Sequence, residues 1–204
     1  MHLRFWRLQV IVWIGFGLIG ACQSPTLPLP KVYPKVILPP MGRYDTLDCQ
    51  ACPVKFAYPA YARLQYVPKD SCWFDLYFPD LDAYWHVTAH DLKSLHKSPQ
   101  EALRIYTKLI YKHAIRATDI SHKPIEGPNG WGMLYEIYGE VPTHALIFYT
   151  DSLRYAIMIA SYFKIAGAED SLMPIIQRMR QELEAIYPSI QWRPVVSTRT
   201  PTCF

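Results

Sequence analysis

Cys22 carries the most definite chemistry in the sequence. It follows Ile19-Gly20-Ala21, small residues set directly before a thiol, the pattern on which a lipoprotein signal peptidase cuts ahead of a cysteine already bearing diacylglycerol. Arg4 and Arg7 precede an apolar run from Leu8 to Ile19 of about a dozen residues, short of the roughly 20 that a spanning helix requires. Residues 1–21 therefore read as a cleaved lipoprotein signal, with an ordinary secretory peptide as the alternative, and Cys22 becomes the acylated first residue. Two or more acyl chains, at roughly 0.8 kcal/mol per buried methylene, hold a protein stably to lipid where one does not.

Cys49, Cys52, Cys72 and Cys203 remain after lipidation, and an oxidising envelope compartment would let them pair in three ways. We expect Cys52 with Cys72, because each lies just before a strand-like segment and those strands would be neighbours in one sheet. Such a bridge contributes roughly 2–4 kcal/mol. The Cys49-Gln50-Ala51-Cys52 spacing also fits zinc or a redox dithiol. No second ligand pair has matching spacing, however, and Pro53 leads into a strand instead of the helix that lowers a redox thiol's pKa.

His86 and His90 would meet on a helix, but Trp85, Val87 and Thr88 favour a strand. The two imidazoles then face one way roughly 13 Å apart, too far to share a metal. No glutamate follows His86, and there is no G-x-S-x-G elbow or phosphate-binding loop. Gly127-Pro128-Asn129-Gly130 reads as a turn, and Asp151-Ser152 as a turn or strand end without an assignable base. The sequence assigns no catalytic, cofactor or metal-binding residue. One row does ask for a partner: Arg104, Lys108, Lys112 and Arg116 recur every four residues, stacking like charges that weaken a helix by a few tenths of a kcal/mol per pair. Such a row is a solvated face, or it docks on an acidic protein surface or on anionic lipid headgroups.

These residues need elements to hold them. Pro25 to Pro40 reads PTLPLPKVYPKVILPP, an extended tether that would hold the domain up to roughly 55 Å from the lipid. Val32, Val36, Ile37 and Leu38 leave a second reading, in which part of the tether lies along the domain. The expected division is signal 1–21, acylated cysteine and tether 22–43, and one globular domain 44–204. Strands are expected at Val54–Tyr58, Arg63–Val67, Trp73–Phe78 and Tyr84–Thr88, each aromatic or β-branched and bounded by proline or aspartate. Ser98-Pro99-Gln100-Glu101 gives a cap, a first-turn proline and a capping glutamate, predicting a helix over 99–117 with Leu103, Tyr106, Ile110, Ala114 and Ala117 inward. Strands follow at 131–138, 144–150 and 154–163, the last nearly all apolar and so central. Ser171 and Pro174 open a second helix with Ile176, Met179, Leu183 and Ile186 on one face. The fold class is α+β, mainly antiparallel sheet packed with two main helices, and by analogy its element order resembles the Mog1/PsbP-like sandwich. The formal net charge of +4 becomes +2 once Arg4 and Arg7 leave with the signal, too weak for a nucleic-acid partner.

Over nearly its whole mature length the chain resembles the gliding-motility lipoprotein family GldD of the Bacteroidetes. The matching stretches are Cys22, Pro30-Lys31-Val32-Tyr33, Cys52-Pro53 with Phe56, and Cys72-Trp73 leading to Leu76-Tyr77-Phe78-Pro79. Tyr111, His113, Arg116, Ala117 and Ile120 follow, placed on the first helix, then Gly132, Tyr135 and Glu136 in the next strand and Tyr149-Thr150-Asp151-Ser152. Tyr162-Phe163, Asp170-Ser171-Leu172 and Pro174 complete the set. Cys49 and Cys203 depart from the family pattern. The resemblance implies a non-enzymatic envelope lipoprotein, needed for assembly or stability of the gliding and linked type IX secretion machinery, whose partners are other envelope proteins of that machinery. No catalytic residue carries over. Gln23-Ser24-Pro25 lacks the acidic cluster that marks surface export, so the expected position is periplasm-facing, with the outer membrane favoured over the inner. The alternative is a ligand-binding or peptidoglycan-acting enzyme lipoprotein, in which His113 and Glu136 would form an acid–base pair if the helix packs beside that strand.

Overall fold

A strand that is apolar on nearly every residue has both faces buried, and Tyr155–Phe163 lies at the middle of the larger of two sheets. The computed structural model describes residues 37–49, 52–66, 72–113, 115–164 and 169–194, all within the compact unit Pro34–Phe204. The elements run β1 (Tyr44–Asp48), β2 (Val54–Pro59), β3 (Arg63–Tyr66), β4 (Trp73–Phe78), β5 (Ala83–Asp91), α1 (Pro99–His113), β6 (Ala117–Gly127), β7 (Gly130–Gly139), β8 (Thr143–Thr150), β9 (Tyr155–Phe163), α2 (Glu169–Ile186) and β10 (Gln191–Trp192). The large sheet has the order β3-β4-β5-β9-β8-β7-β6 and the small one β1-β2-β10, with neighbouring strands antiparallel among the described residues. The fold is α+β. No helix among the described residues is long and apolar enough to cross a membrane.

One face of the large sheet is closed by α2 and the small sheet together. Phe74, Leu76 and Phe78 on β4, Trp85 and Val87 on β5, and Ile157 and Ile159 on β9 meet Ile176, Met179, Leu183 and Ile186 of α2 in a single core. Trp85 is fully buried, edge-on to Phe78 with ring centroids 4.9 Å apart. Phe56 of the small sheet stacks on Phe74 of the large one at 6.2 Å. The Glu182 side chain, wholly buried on α2, accepts hydrogen bonds from Tyr44 Oη and Tyr61 Oη, each at 3.0 Å. Burial, followed by the field of that carboxylate, pushes the Tyr61 phenol well above its ordinary pKa.

Cys52 and Cys72 are joined by a disulfide, with Cα atoms 5.0 Å apart. Because Cys52 precedes β2 and Cys72 precedes β4, the bridge clips the two sheets to each other and does not run between neighbours of one sheet. Cys49 is also disulfide-bonded, so neither Cys49 nor Cys52 offers the free thiol that a zinc site or a redox pair needs. The end of the tether lies along the domain: Leu38 packs against the core and Arg178 donates to the Pro39 carbonyl. Val32 and Val36 fall outside the described residues.

Several boundaries differ from the sequence expectation, for physical reasons. Helix α1 stops at His113, four residues early, because Ala117 is already hydrogen-bonded in register with Gly139 of β7. Gly139 has φ +111°, and a Cβ there would meet the Arg116 carbonyl at 2.8 Å, so this tight junction favours glycine. Helix α2 begins at Glu169, which leaves Pro174 inside the helix. Strands β1, β6 and β10 were not expected. β10 is held by Trp192 Nε1 donating to the Asn129 carbonyl at 2.8 Å and by Arg193 on Asp48, whose carboxyl is held below its usual range first by Lys55 and then by Arg193.

Replacing Cys52 and Cys72 together by alanine will lower stability by about 2–4 kcal/mol in denaturant unfolding of the non-acylated chain. The cross-linked Cys52–Cys72 peptide will appear in a non-reducing map of the wild type. Free thiol at either position would contradict this pairing.

Candidate functional site: the exposed face of α1

The site is built from the start of α1. Ser98 Oγ accepts from the Glu101 N–H at 3.2 Å, while the Glu101 carboxylate accepts from the Ser98 N–H at 2.8 Å, a reciprocal capping box. Pro99 supplies the preset first turn. From there Ala102, Leu103, Tyr106 and Ile110 turn toward the sheet. Tyr106 packs on Phe148 at 5.6 Å and against His90 at 6.3 Å, and Thr107 Oγ1 bonds Tyr135 Oη at 2.5 Å. Burial lifts the Tyr106 phenol to about 12.

This packing turns the opposite side of the helix to solvent. Arg104, Lys108 and Lys112 are exposed, interleaved with Ile105, Leu109 and Tyr111, which are themselves 41 %, 42 % and 51 % exposed. Ile115, just past the helix, is 87 % exposed. Arg116 is exposed too, but it lies in the turn after α1, so the four-residue row ends at Lys112. None of the four cations makes an ion pair with a described residue. From Ala102 to Thr118 the chain contains no aspartate or glutamate. An apolar cleft of about 190 Å³ opens beside Leu109, lined among others by Tyr106, Val141, Leu146, Met158 and Ala160.

The remaining candidates are not gathered here. His113 is the last residue of α1, and its side chain lies outside the described residues. Glu136 is on the other face of the sheet: it accepts from Tyr138 Oη at 2.7 Å and lies 3.9 Å from Arg180 of α2. Strand alternation forces this, since the adjacent Tyr135 points at α1. Of the expected acid–base pair, the His113 side chain lies outside the described residues, and the Glu136 half faces Tyr138 and Arg180. Ala117 and Ile120, assigned to the first helix, belong to β6. His86 and His90 share one face of β5, with His86 Nδ1 2.6 Å from Asp75 Oδ1. Asp151 caps a turn, its Oδ1 accepting from the N–H groups of Leu153, Arg154 and Tyr155. Among the described residues there is no group of three or more potential metal ligands.

The sequence profile described as gliding motility lipoprotein GldD matches residues 23–192. The chain belongs to this family. A comparison with characterised proteins gives no match. Membership of the GldD family makes the protein an envelope lipoprotein of gliding motility. Ile105 and Leu109, and the cleft beside Leu109, are not evident from sequence because both residues lie just off the buried stripe. Their signal was present in the alternation of aliphatic and basic residues on the outward arc.

The capping box makes the start of α1 sensitive to acid. Hydrogen bonds from Ser98, first from its backbone N–H, hold the Glu101 carboxyl below its ordinary range. A depressed pKa stabilises the fold above the unfolded value of about 4.3, and that contribution is lost as pH falls through the folded value. Amide exchange over residues 99–104 will accelerate at acid pH beyond the intrinsic rate change in the wild type. Glu101→Gln will lack that extra acceleration, and an identical acid response in both would contradict the capping role.

Proposed function

We propose that this GldD-family lipoprotein is a non-enzymatic assembly or stability factor of the gliding machinery and of the linked type IX secretion apparatus. It is tethered through acylated Cys22 and faces the periplasm, with the outer membrane as its seat. Its domain acts on other envelope components through the exposed face of α1. The observation that carries this reading is the outward arc of Arg104, Lys108 and Lys112, without an ion pair to any described residue and interleaved with exposed aliphatic residues, on a helix fixed to a sheet. Three like charges at four-residue spacing weaken their own helix slightly and are more simply understood as serving a partner. The contacts of Glu136 with Tyr138 and Arg180 of α2 support this reading over the enzyme alternative.

Deleting the protein from its source will abolish both gliding and secretion of cargo that carries C-terminal targeting signals. The wild-type chain will restore both, and Cys22→Ser, accumulated to the same level, will restore neither. Normal secretion in the deletion strain would contradict the secretion role, and rescue by Cys22→Ser would contradict the need for a lipid tether.

A further inference from the structure

We propose that the exposed face of α1 seats on the surface of an anionic phospholipid bilayer, giving the domain a second, non-covalent membrane contact beside the acyl anchor. The inference rests on the reading of α1 as a docking face and names what it docks on.

Three observations lead to lipid. The first is composition at the surface: Arg104, Lys108 and Lys112 share the exposed side of α1 with Ile105, Leu109 and Tyr111, the turn after it exposes Ile115 and Arg116, and residues 102 to 118 contain no acid. An interfacial helix has this mixture, in which aliphatic side chains enter the boundary between headgroup and acyl chain while long basic side chains reach back to the phosphates. The second is the cleft beside Leu109. Its walls are mostly apolar, with Thr143 the exception, and its volume of about 190 Å³ suits the end of an acyl chain. The third is the reach of the chain. The 14 positions 23–36 are enough to span ~43 Å at 3.1 Å per residue, against a three-layer domain of roughly 30 Å at about 10 Å per layer. The tether therefore lets α1 come to the lipid surface even though Pro39 is tied to α2, on the other side of the large sheet. A covalent anchor of this length also keeps the local lipid concentration high, so a weak second contact suffices.

The test uses the full mature chain with Cys22→Ser, which removes the anchor, and phosphatidylcholine vesicles with or without phosphatidylglycerol. The chain will sediment with the anionic vesicles and not with the neutral ones, and binding will fall as salt is raised. Changing Arg104, Lys108 and Lys112 together to glutamate will weaken binding by more than roughly a hundredfold, the loss of three basic residues at about fivefold each, because the new carboxylates also repel the anionic surface. Circular dichroism will show the fold of this variant intact. Should it fail to fold, Ile105→Asn with Leu109→Asn keeps every charge and will also weaken binding. No sedimentation, or equal sedimentation with both vesicles, overturns the inference. If vesicles are not bound while charge reversal still strips other envelope proteins from the purified lipoprotein, the docking face stands and its partner is an acidic protein.

Discussion

Nine consecutive residue pairs, from Ala83 with Phe163 to Asp91 with Tyr155, join β5 to β9, and the remainder of the molecule depends on this seam. It joins the hairpins β3-β4-β5 to the meander β6-β7-β8-β9, segments separated in the chain by α1. Antiparallel alternation along it sends Trp85, Val87, Ile157 and Ile159 to the α2 core and His86, His90, Met158 and Ala160 to the α1 side. A shift by one residue would exchange the two faces.

The faces are closed differently. α2 and the small sheet, clipped by Cys52–Cys72, complete one core. α1 closes the other by a narrower stripe over Tyr135, Leu146 and Phe148 and leaves an apolar cleft at its flank. The electrostatics follow the same division. The whole chain carries a formal net charge of only +4, yet the stretch from Ala102 to Thr118 holds four cations and no acid, so the remainder has no net charge. A modest overall charge thus conceals a local field suited to an anionic surface.

Much of the architecture was legible because buried strands carry their pattern. β4, β5, β8 and β9 alternate or are continuously apolar, and Tyr155–Phe163 gave its central place directly. β6 was illegible for the opposite reason: at the sheet edge it buries Ile125 alone and contains Pro124, which edges tolerate. Its first residues also continue the apolar period of α1, which is why Ala117 was read as helix. β1 buries only Leu47, and β10 is two residues long. The basic arc was readable from spacing, but the position of Glu136 required the face assignment of β7, and the cleft required tertiary packing.

The most direct measurement is gliding of a deletion strain expressing the lipidated chain with Arg104, Lys108 and Lys112 changed to glutamate. The account predicts normal accumulation and acylation at Cys22 with no recovery of gliding. Full recovery would show that the exposed face of α1 is only a solvated surface and would contradict the account.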